Sequence, residues 1–351
     1  MRASERCGLL LRSSIRRTTF AIIGVAFWTV TPAAAQLPRI AEGPVKIQVR
    51  AQPLGGFETR DPSRRQFGAL LFRGGLELTS SHKDFGGISA IRVGADGARF
   101  IAVTDKGRWL RGRILYRDGT PVGLDDVEMA PVLGPDGRPI TARGWYDTEA
   151  IGEDGGTLYL GLERVHQIMR FDYGKDGLLA RGQPIAVPPA MKKLPSNKGI
   201  EGLVVIPRGT PLGGSLLAFS ERGLDAAGNL LAFIIGGPTP GTFTVKRSAD
   251  FDISDAALLP PGELLVLERR FSFLSGIAIR IRRIPLASVQ PGALVDGRIL
   301  LEADMGYQID NMEGLSVHRT AAGETVLTLI SDDNFSPIQR TLLLQFTLTE
   351  R

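Results

Sequence analysis

The sequence predicts an all-β protein that folds as a single six-bladed β-propeller, closed by pairing of its N- and C-terminal strands. Three observations lead to this prediction. A sequence phrase recurs along the chain, hairpin-turn sequences lie between paired apolar runs, and the residues that the repeats do not use lie at the two chain ends. Units that recur in this way stack against their neighbours and build one continuous fold.

The repeated phrase consists of an acidic residue that opens a short apolar run, a turn, and a second apolar run that ends in another acidic residue. Its clearest copy is DTEAIGEDGGTLYLGLER, residues 147–164. The opening positions of the five copies are Ser89, Glu149, Glu201, Asp255 and Glu313. They are separated by 60, 52, 54 and 58 residues, which suits a four-stranded blade and is too long for a single hairpin.

Turn and strand patterns support the division into blades. Asp96-Gly97, Asp154-Gly155 and Pro261-Gly262 each separate two apolar runs, as the turns of β-hairpins do. In the segment 276–285, isoleucines alternate with alanine or arginine, which predicts an outer strand with one solvated face. The run 203–206 is apolar throughout, as in strands that neighbouring blades cover on both sides.

Five phrases predict five blades, and the remaining length predicts a sixth. The 316 residues from 36 to 351, divided by a period of roughly 56, leave most of one blade unassigned. These residues are divided between the N-terminal region, 45–73, and the last strand, 341–348. Pairing of the two ends within one blade would remove the exposed strand edges of an open sheet.

Residues 1–35 are predicted to be a signal peptide. Arginines precede an apolar stretch at 20–30, which is short for a transmembrane span, and three alanines at 33–35 offer a cleavage site. The propeller domain, residues 36–351, would then lie in the periplasm or outside a bacterial cell, with no membrane span left after cleavage. General secretion is favoured over the twin-arginine route, which the Arg16-Arg17 pair leaves open.

Charge and composition exclude several classes of function. Cleavage at residue 35 leaves 37 basic and 36 acidic residues, so the basic character belongs to the leader and does not indicate nucleic-acid binding. Cys7 is the only cysteine, and it lies in the leader, so the domain has neither a disulfide nor a thiol nucleophile. The sequence also contains no G-x-S-x-G, Walker, H-E-x-x-H or G-x-G-x-x-G motif.

The phrase predicts where its acids meet. Because the two strands of a hairpin are antiparallel, the start of the first and the end of the second lie at the same end of the blade. The predicted neighbours are Glu149 with Glu163, Glu201 with Glu221, Asp255 with Glu268, and Glu313 with Asp332. These pairs would gather near the mouth of the central channel, where unneutralised carboxylates repel one another. An oxygen-rich cluster suits calcium, whereas zinc prefers histidine and cysteine ligands.

The predicted site assigns three roles to these residues. The catalytic residues are Glu149, Glu163, Glu201 and Glu221. The metal ligands are Glu149, Glu201, Asp255, Glu313 and Asp332. The substrate-binding residues are Arg164, Arg222 and Arg269, since guanidinium groups match the oxygens of an anionic substrate. In an alternative interpretation, the acids only accept backbone N–H bonds or pair with the adjoining arginines and hold the blades in register.

The phrase at 147–164 resembles the repeated motif of β-propeller phytases. Over roughly residues 67–349, the chain resembles the phytase-like propeller family described as having esterase-like activity, and the motif recurs as IEGLVV with FSER and as MEGLSV with SDDN. The resemblance implies calcium ions that bind substrate phosphates and activate water. By motif position, Glu149 and Glu163 are the best matches, followed by Glu201, Glu221, Glu313 and Asp332.

The expected function is therefore an exported, calcium-dependent hydrolase that acts on phosphate esters or related small esters at the acidic face of a propeller. The lysine- and aspartate-rich phosphate-binding segments of true phytases are not found in the sequence. Two alternatives stay open. One is a lactonase-like propeller enzyme, and the other is a non-catalytic propeller that binds a ligand or a partner protein on the same face.

Overall fold

The computed structural model describes residues 43–350, in which five β-sheets form the blades of a propeller. The all-β propeller prediction is confirmed, but the prediction of six blades was wrong, because the described chain forms five. The predicted signal peptide lies outside the described residues. Among residues 43–350, no helix has the length and hydropathy needed to cross a bilayer.

The strands are named in chain order. The first eight are β1 (Val45–Lys46), β2 (Arg50–Pro53), β3 (Gln66–Phe67), β4 (Leu70–Thr79), β5 (Ile88–Val93), β6 (Arg99–Thr104), β7 (Arg108–Arg117) and β8 (Thr120–Pro131). The next eight are β9 (Thr148–Asp154), β10 (Thr157–Leu162), β11 (Gln167–Phe171), β12 (Gln183–Pro184), β13 (Ile200–Val205), β14 (Leu216–Leu224), β15 (Leu230–Ile235) and β16 (Gly241–Val245). The last eight are β17 (Asp252–Leu259), β18 (Glu263–Ser272), β19 (Gly276–Pro285), β20 (Leu294–Val295), β21 (Arg298–Ala303), β22 (Asn311–Arg319), β23 (Thr325–Asp332) and β24 (Thr341–Leu348).

Helical structure is sparse in the described residues. It comprises one short helix, α1 (Tyr173–Asp176), and the 3-10 turns Ile140–Arg143, Gly177–Leu179, Met191–Lys193 and Leu286–Ser288.

Each blade is an antiparallel meander whose first strand lies at the central channel. Blade 1 contains β5 to β8, blade 2 contains β9 to β12, and blade 3 contains β13 to β16. Blade 4 contains β17, β18, β19 and β21, and blade 5 contains β22, β23, β24 and β4. The five innermost strands, β5, β9, β13, β17 and β22, contact one another in order around the channel.

The hydrophobic core is divided into five clusters, each between two adjacent blades. Between blades 4 and 5, for example, Leu267 of β18 lies in one cluster with Leu329 of β23 and Phe346 of β24. Neighbouring blades therefore cover both faces of each sheet, as the apolar run 203–206 predicts. Burial of apolar surface stabilises the fold by about 25 cal/mol per Å², so packing can maintain this domain without a disulfide.

The residues assigned to a sixth blade instead complete and extend the other five. β24 pairs with β23 on one side and with β4 on the other, so the two chain ends close the ring within blade 5. β1 adds an outer strand to blade 1 and β2 adds one to blade 5, while β20 leaves blade 4 and pairs with β16 of blade 3. Length alone predicts an extra blade because it cannot separate edge strands from inner ones.

The arginines of β19 are buried, although their alternation predicts a solvated face. Arg280 and Arg282 have exposures of 3% and 2%. Arg282 donates from Nε to Oε2 of Glu268 at 2.8 Å, and Arg280 donates to Glu302 at 3.2 Å. Because β21 covers the outer edge of β19, these charges lie inside blade 4, where ion pairing compensates their burial.

Candidate functional site

A β-bulge near the start of each innermost strand turns one side chain towards the channel mouth. Each bulge leaves one residue out of the pairing register with the second strand. The five bulged residues are Ser89, Glu149, Glu201, Ser254 and Glu313. A bulge re-aims its side chain and bends the strand, which is why bulges are frequent beside functional sites.

In blade 4, the predicted position of the repeated phrase was wrong by one residue. Ser254, and not Asp255, occupies the bulge position there. At the end of the second strand the same shift places Arg269, and not Glu268, at the equivalent position, opposite Asp252. Blade 4 therefore contributes a hydroxyl and a guanidinium where three other blades contribute two carboxylates each.

The strand-end positions form a second set of side chains next to the bulge residues. In blades 1 to 3, the acid at the end of the second strand donates its backbone N–H to a backbone carbonyl. That carbonyl belongs to the residue two positions before the bulge, and the distance is 2.8 Å in each blade. The strand-end residues of the five blades are Asp105, Glu163, Glu221, Arg269 and Asp332.

We call the three bulge acids and the four strand-end acids the carboxylate cluster. Its members are Asp105, Glu149, Glu163, Glu201, Glu221, Glu313 and Asp332. One carboxylate oxygen from each of Glu163, Glu201 and Glu221 lies within 4.8 Å of the other two. The structure thus brings six of the predicted acids to one end of the channel and adds Asp105, which closes the copy of the phrase that opens at Ser89.

Two cations contact this cluster within the described chain. Lys198 Nζ lies 2.7 Å from Oε2 of Glu221. Arg269 Nη2 lies 3.4 Å from Oε1 of Glu221 and 3.4 Å from Oε1 of Glu313, and its Nη1 donates to Asn311 at 2.6 Å. Seven carboxylates against two cations leave a large excess of acidic groups in a largely buried space.

Glu201 is the least compensated member of the cluster. Its exposure is 4%, and no hydrogen-bond donor in the described residues contacts its carboxylate. Burial raises its pKa well above the usual range, and the charge of Glu149 raises it further. Burial likewise raises the pKa of Glu149, with Glu313 adding to the effect. Burial and mutual repulsion therefore favour the protonated form of these groups, and a bound cation would favour the ionised form.

The acids at the blade 1 and blade 5 side titrate near neutrality. Burial, followed by the charge of Asp332, raises the pKa of Asp105 to about 7. Burial raises the pKa of Asp332 to about 6, although the hydrogen bond that Asp332 accepts from the backbone N–H of Asn334 partly offsets this rise. Burial alone would lower the pKa of Arg269, but the charges of Glu313 and Glu221 raise it by more. The net pKa is raised, so Arg269 stays charged.

The three predicted substrate-binding arginines have different surroundings. Only Arg269 contacts the cluster. Arg164 lies over the ring of Tyr146, 4.2 Å from its centroid, and Arg222 pairs with Asp252. The residue that follows a strand-end acid points away from that acid, so Arg164 and Arg222 belong to the rim, whereas the shift in blade 4 turns Arg269 inward.

Asp255 lies outside the cluster, in a clamp across the channel. Arg92 of blade 1 donates to its two carboxylate oxygens at 2.8 and 3.0 Å. The same guanidinium donates to the carbonyls of Leu315 at 3.0 Å and Leu203 at 3.3 Å. Asp255 also accepts the backbone N–H of Leu315 at 2.8 Å. This clamp joins the innermost strands of four blades, and its geometry is that of an internal ion pair.

A large cleft of the described structure lies elsewhere. It has a volume of about 1150 Å³ and is lined by turns of blades 1 and 2 at the opposite end of the strands, including Arg99, Arg113, Glu153 and Lys175. None of the predicted site residues lines it.

Asp105 and Asn311 are members of the site that were absent from the predicted one. Asp105 closes the first phrase, so the acid at the end of that phrase was the available signal. Asn311 stands two residues before the bulge, where Asp147 and Asp252 stand in other blades. Polar residues two positions before the bulge in three of the five blades were a second, weaker signal.

Fold and site together define a β-propeller with an acidic centre at one end of its channel. The chain belongs to the phytase-like family described as "esterase-like activity of phytase", whose model matches residues 83–335. Among curated proteins, none matches the sequence significantly.

Several solved structures are similar to this one at low identity. The α-L-arabinofuranosidase from Podospora anserina in complex with cellotriose is 13% identical, covers 77% of this chain and 94% of its own, and has a TM-score of 0.46. The PQQ-bound aldose sugar dehydrogenase from Streptomyces coelicolor is 15% identical, with coverages of 86% and 98% and a TM-score of 0.40. Glutaminyl cyclase from Myxococcus xanthus is 10% identical, with coverages of 75% and 97% and a TM-score of 0.35.

Proposed function

We propose that this protein is an exported, calcium-dependent hydrolase of phosphate esters or related small esters, with the carboxylate cluster as its active site. The observation that carries the proposal is the convergence of seven carboxylates contacted by two cations, with Glu201 buried and lacking a donor. An interpretation of the acids as register-keeping groups requires a partner for each of them. Glu201 has no such partner in the described chain.

The donor set fits calcium. Calcium takes six to eight oxygen ligands from carboxylates, carbonyls and water, and it tolerates irregular geometry. Glu163, Glu201 and Glu221 each offer a carboxylate oxygen within 4.8 Å of the other two and would hold the ion, with Glu149, Glu313 and Asp332 beside them. Calcium in this position would polarise a phosphoryl or carbonyl oxygen and acidify a nearby water molecule.

The remaining steps belong to side chains of this chain. Glu163 Oε1 accepts the backbone N–H of Gly199 at 2.7 Å, which fixes the carboxylate and leaves Oε2 to accept a proton from the attacking water. Arg269 lies beside the cluster, with its Nη2 3.4 Å from Glu221 and from Glu313, and would face an oxygen of a substrate bound there. Its charge opposes the negative charge that develops on that oxygen.

The direct test is turnover by the chain from residue 36 onwards, first stripped of metal and then supplied with calcium. The substrates are p-nitrophenyl phosphate, bis-p-nitrophenyl phosphate, p-nitrophenyl acetate and a γ-lactone, and the lactone tests the lactonase-like alternative. We expect calcium-dependent release of product from at least one ester. Glu201→Gln should lower it strongly, whereas Glu153→Gln, at the opposite end of β9, should not.

Two results would contradict the proposal. Turnover that is equal with and without calcium would remove the metal from the mechanism. An absence of turnover on all four substrates, together with no calcium binding by calorimetry, would favour a non-catalytic propeller whose acids are neutralised by protons, Lys198 and Arg269.

Export is part of the same proposal and is supported by the sequence of residues 1–35. Expression in a bacterial host should place the protein in the periplasm or medium, with a mature N-terminus near Gln36. Exported material that still contained residues 20–30 would show that the apolar stretch is an anchor and not a cleaved leader.

A further inference from the structure

The most exposed apolar side chains of the described structure lie on one part of its surface. Five large hydrophobic residues have exposures of 60% or more. They are Phe271, Phe273, Leu274, Met305 and Ile338. All five lie on segments that leave the strands at the same end as the carboxylate cluster, in blades 4 and 5.

The hairpin between β18 and β19 places three of them far from the body of blade 4. The two strands pair from Glu263 with Pro285 to Ser272 with Gly276, whereas the neighbouring strands stop opposite Arg269 and Ile279. The end of this hairpin therefore extends beyond the sheet as a two-stranded ribbon. At about 3.3 Å per residue, its tip is roughly 15 Å from Arg269, which contacts the carboxylate cluster.

The tip forms a small apolar patch. Phe273 is 97% exposed and Leu274 is fully exposed, while Phe271 packs against Phe273 with ring centroids 5.4 Å apart. Met305 lies beside the tip, since a Cβ added at Gly276 would stand 2.8 Å from its Cγ. We call Phe271, Phe273, Leu274 and Met305 the hairpin patch.

We propose that the hairpin patch inserts into the surface of a lipid bilayer and holds the carboxylate cluster towards it. Solvation of four apolar side chains is unfavourable, so their exposure indicates a partner. Four side chains of this size bury on the order of 600 Å², below the roughly 800 Å² per partner of a stable protein interface. A bilayer requires only that a few apolar side chains enter the interfacial region.

The charges of the hairpin agree with this partner. From Arg269 to Gly276 the segment contains two arginines and no acidic residue. Arg270 lies immediately before the patch; its guanidinium lies 4.8 Å from the centroid of the Phe251 ring and donates to the carbonyl of Ala249, which places a positive charge at the base of the ribbon. Insertion of the apolar side chains should therefore provide the binding to the bilayer, and anionic lipid should strengthen it.

The test is co-sedimentation of the chain from residue 36 onwards with vesicles, without substrate or calcium. One set of vesicles is pure phosphatidylcholine, and the other is an equimolar mixture with phosphatidylglycerol. We expect the wild type to bind both, and the mixture more tightly. The double variant F273S/L274S should weaken the partition coefficient roughly tenfold or more, because it removes two large apolar side chains.

Leu179→Ser is the matched control, because Leu179 is 51% exposed and lies at the opposite end of the strands. It should bind vesicles like the wild type, and all variants should melt at the same temperature. Wild type that stays in solution with both vesicle types, or F273S/L274S that binds unchanged, overturns the proposal. A dimer that F273S/L274S dissociates would instead assign the patch to a second copy of the chain. Because no ester is present, this outcome is independent of hydrolysis.

Discussion

Glu201 shows why a buried carboxylate among other acids indicates a cation. A buried charge is tolerated when hydrogen bonds or an opposite charge compensate it, and Glu201 has neither within the described residues. Without a metal the cluster can relax only by holding protons. The proton and the cation therefore compete for the same carboxylate oxygens, and this competition can be measured.

Replacement of Glu201 by glutamine should have opposite effects with and without calcium. In metal-free protein, E201Q replaces a buried group whose ionised form its acidic neighbours disfavour, so it should leave the free energy of unfolding equal or higher. At a calcium concentration 100 times the wild-type Kd, calcium stabilises the wild type by about 2.7 kcal/mol, and a Kd raised roughly tenfold reduces this to about 1.4 kcal/mol. Urea unfolding with and without calcium measures both values.

Glu153→Gln is the control for this prediction, because Glu153 lies on the same strand but at its exposed end. It should reproduce the wild type in both buffers. If E201Q destabilises the metal-free protein and leaves the calcium effect unchanged, Glu201 is a structural residue and the cluster does not bind calcium through it.

Most residues of the carboxylate cluster could be predicted from the sequence. The prediction failed in blade 4, where a shift of one residue in strand pairing determines which side chain faces the cluster. In the phrases at Glu149, Glu201 and Glu313 the acid stands at the bulge, so the pattern of acids and the fold coincide. In blade 4 the serine and the aspartate are adjacent, and only strand pairing shows that Ser254 faces the cluster and Asp255 the clamp. Because successive side chains of a strand point to opposite sides, an error of one residue changes the surroundings completely.

At the scale of elements, the clamp between Arg92 and Asp255 ties together strands that are distant in sequence. Asp255 is fully buried and is held by Arg92 and two backbone N–H groups. Removal of one partner of such a pair leaves an uncompensated buried charge.

Arg92→Met should therefore lower the free energy of unfolding by about 3–5 kcal/mol, whereas the double variant R92M/D255L should recover much of that loss. Urea unfolding of the single and double variants measures the coupling. Arg143→Met, which breaks the surface pair with Asp136, should cost about 1 kcal/mol or less. Equal losses in R92M and R92M/D255L would show that packing, and not charge, accounts for the role of Arg92.

Element count was the part of the fold that the sequence predicted least well. Five phrases correspond to five innermost hairpins, and those were recognisable from alternating apolar residues and turn dipeptides. β1, β2 and β20 are too short to carry a pattern, and they pair at outer edges by backbone hydrogen bonds alone. Their residues were therefore indistinguishable from the remains of a sixth blade.

At the scale of the whole molecule, ring closure depends on the last strand. β24 lies between β23 and β4, so it supplies the pairing that joins the two ends of the chain. Truncation after residue 340 should open blade 5, expose the apolar cluster between blades 4 and 5, and abolish cooperative unfolding. Removal of residues 36–46 takes away β1 but keeps the buried Ile47 and the pairs that close the ring, so it should leave a cooperative transition, as monitored by circular dichroism.

The free energy of unfolding of the whole propeller should depend on pH, and this dependence should differ between the metal-free and the calcium-bound protein. The pKa of Asp105 is raised to about 7 and that of Asp332 to about 6, whereas unfolded aspartate titrates near 3.9. Between about pH 4 and pH 7 the metal-free folded state therefore binds more protons than the unfolded state. By linkage, the free energy of unfolding falls as pH rises through this window and levels off above it.

Saturating calcium should abolish this decline, because the ion keeps the carboxylates deprotonated in the folded state and the excess protons are no longer bound. Urea unfolding at about pH 5 and about pH 8, in metal-free and in calcium buffer, gives the four values that are needed. The variant D105N/D332N should flatten the metal-free profile, since it removes two of the groups that titrate. A metal-free protein that becomes more stable towards pH 8 would mean that its acids are ionised and compensated by the protein itself, and the cluster would then need no cation.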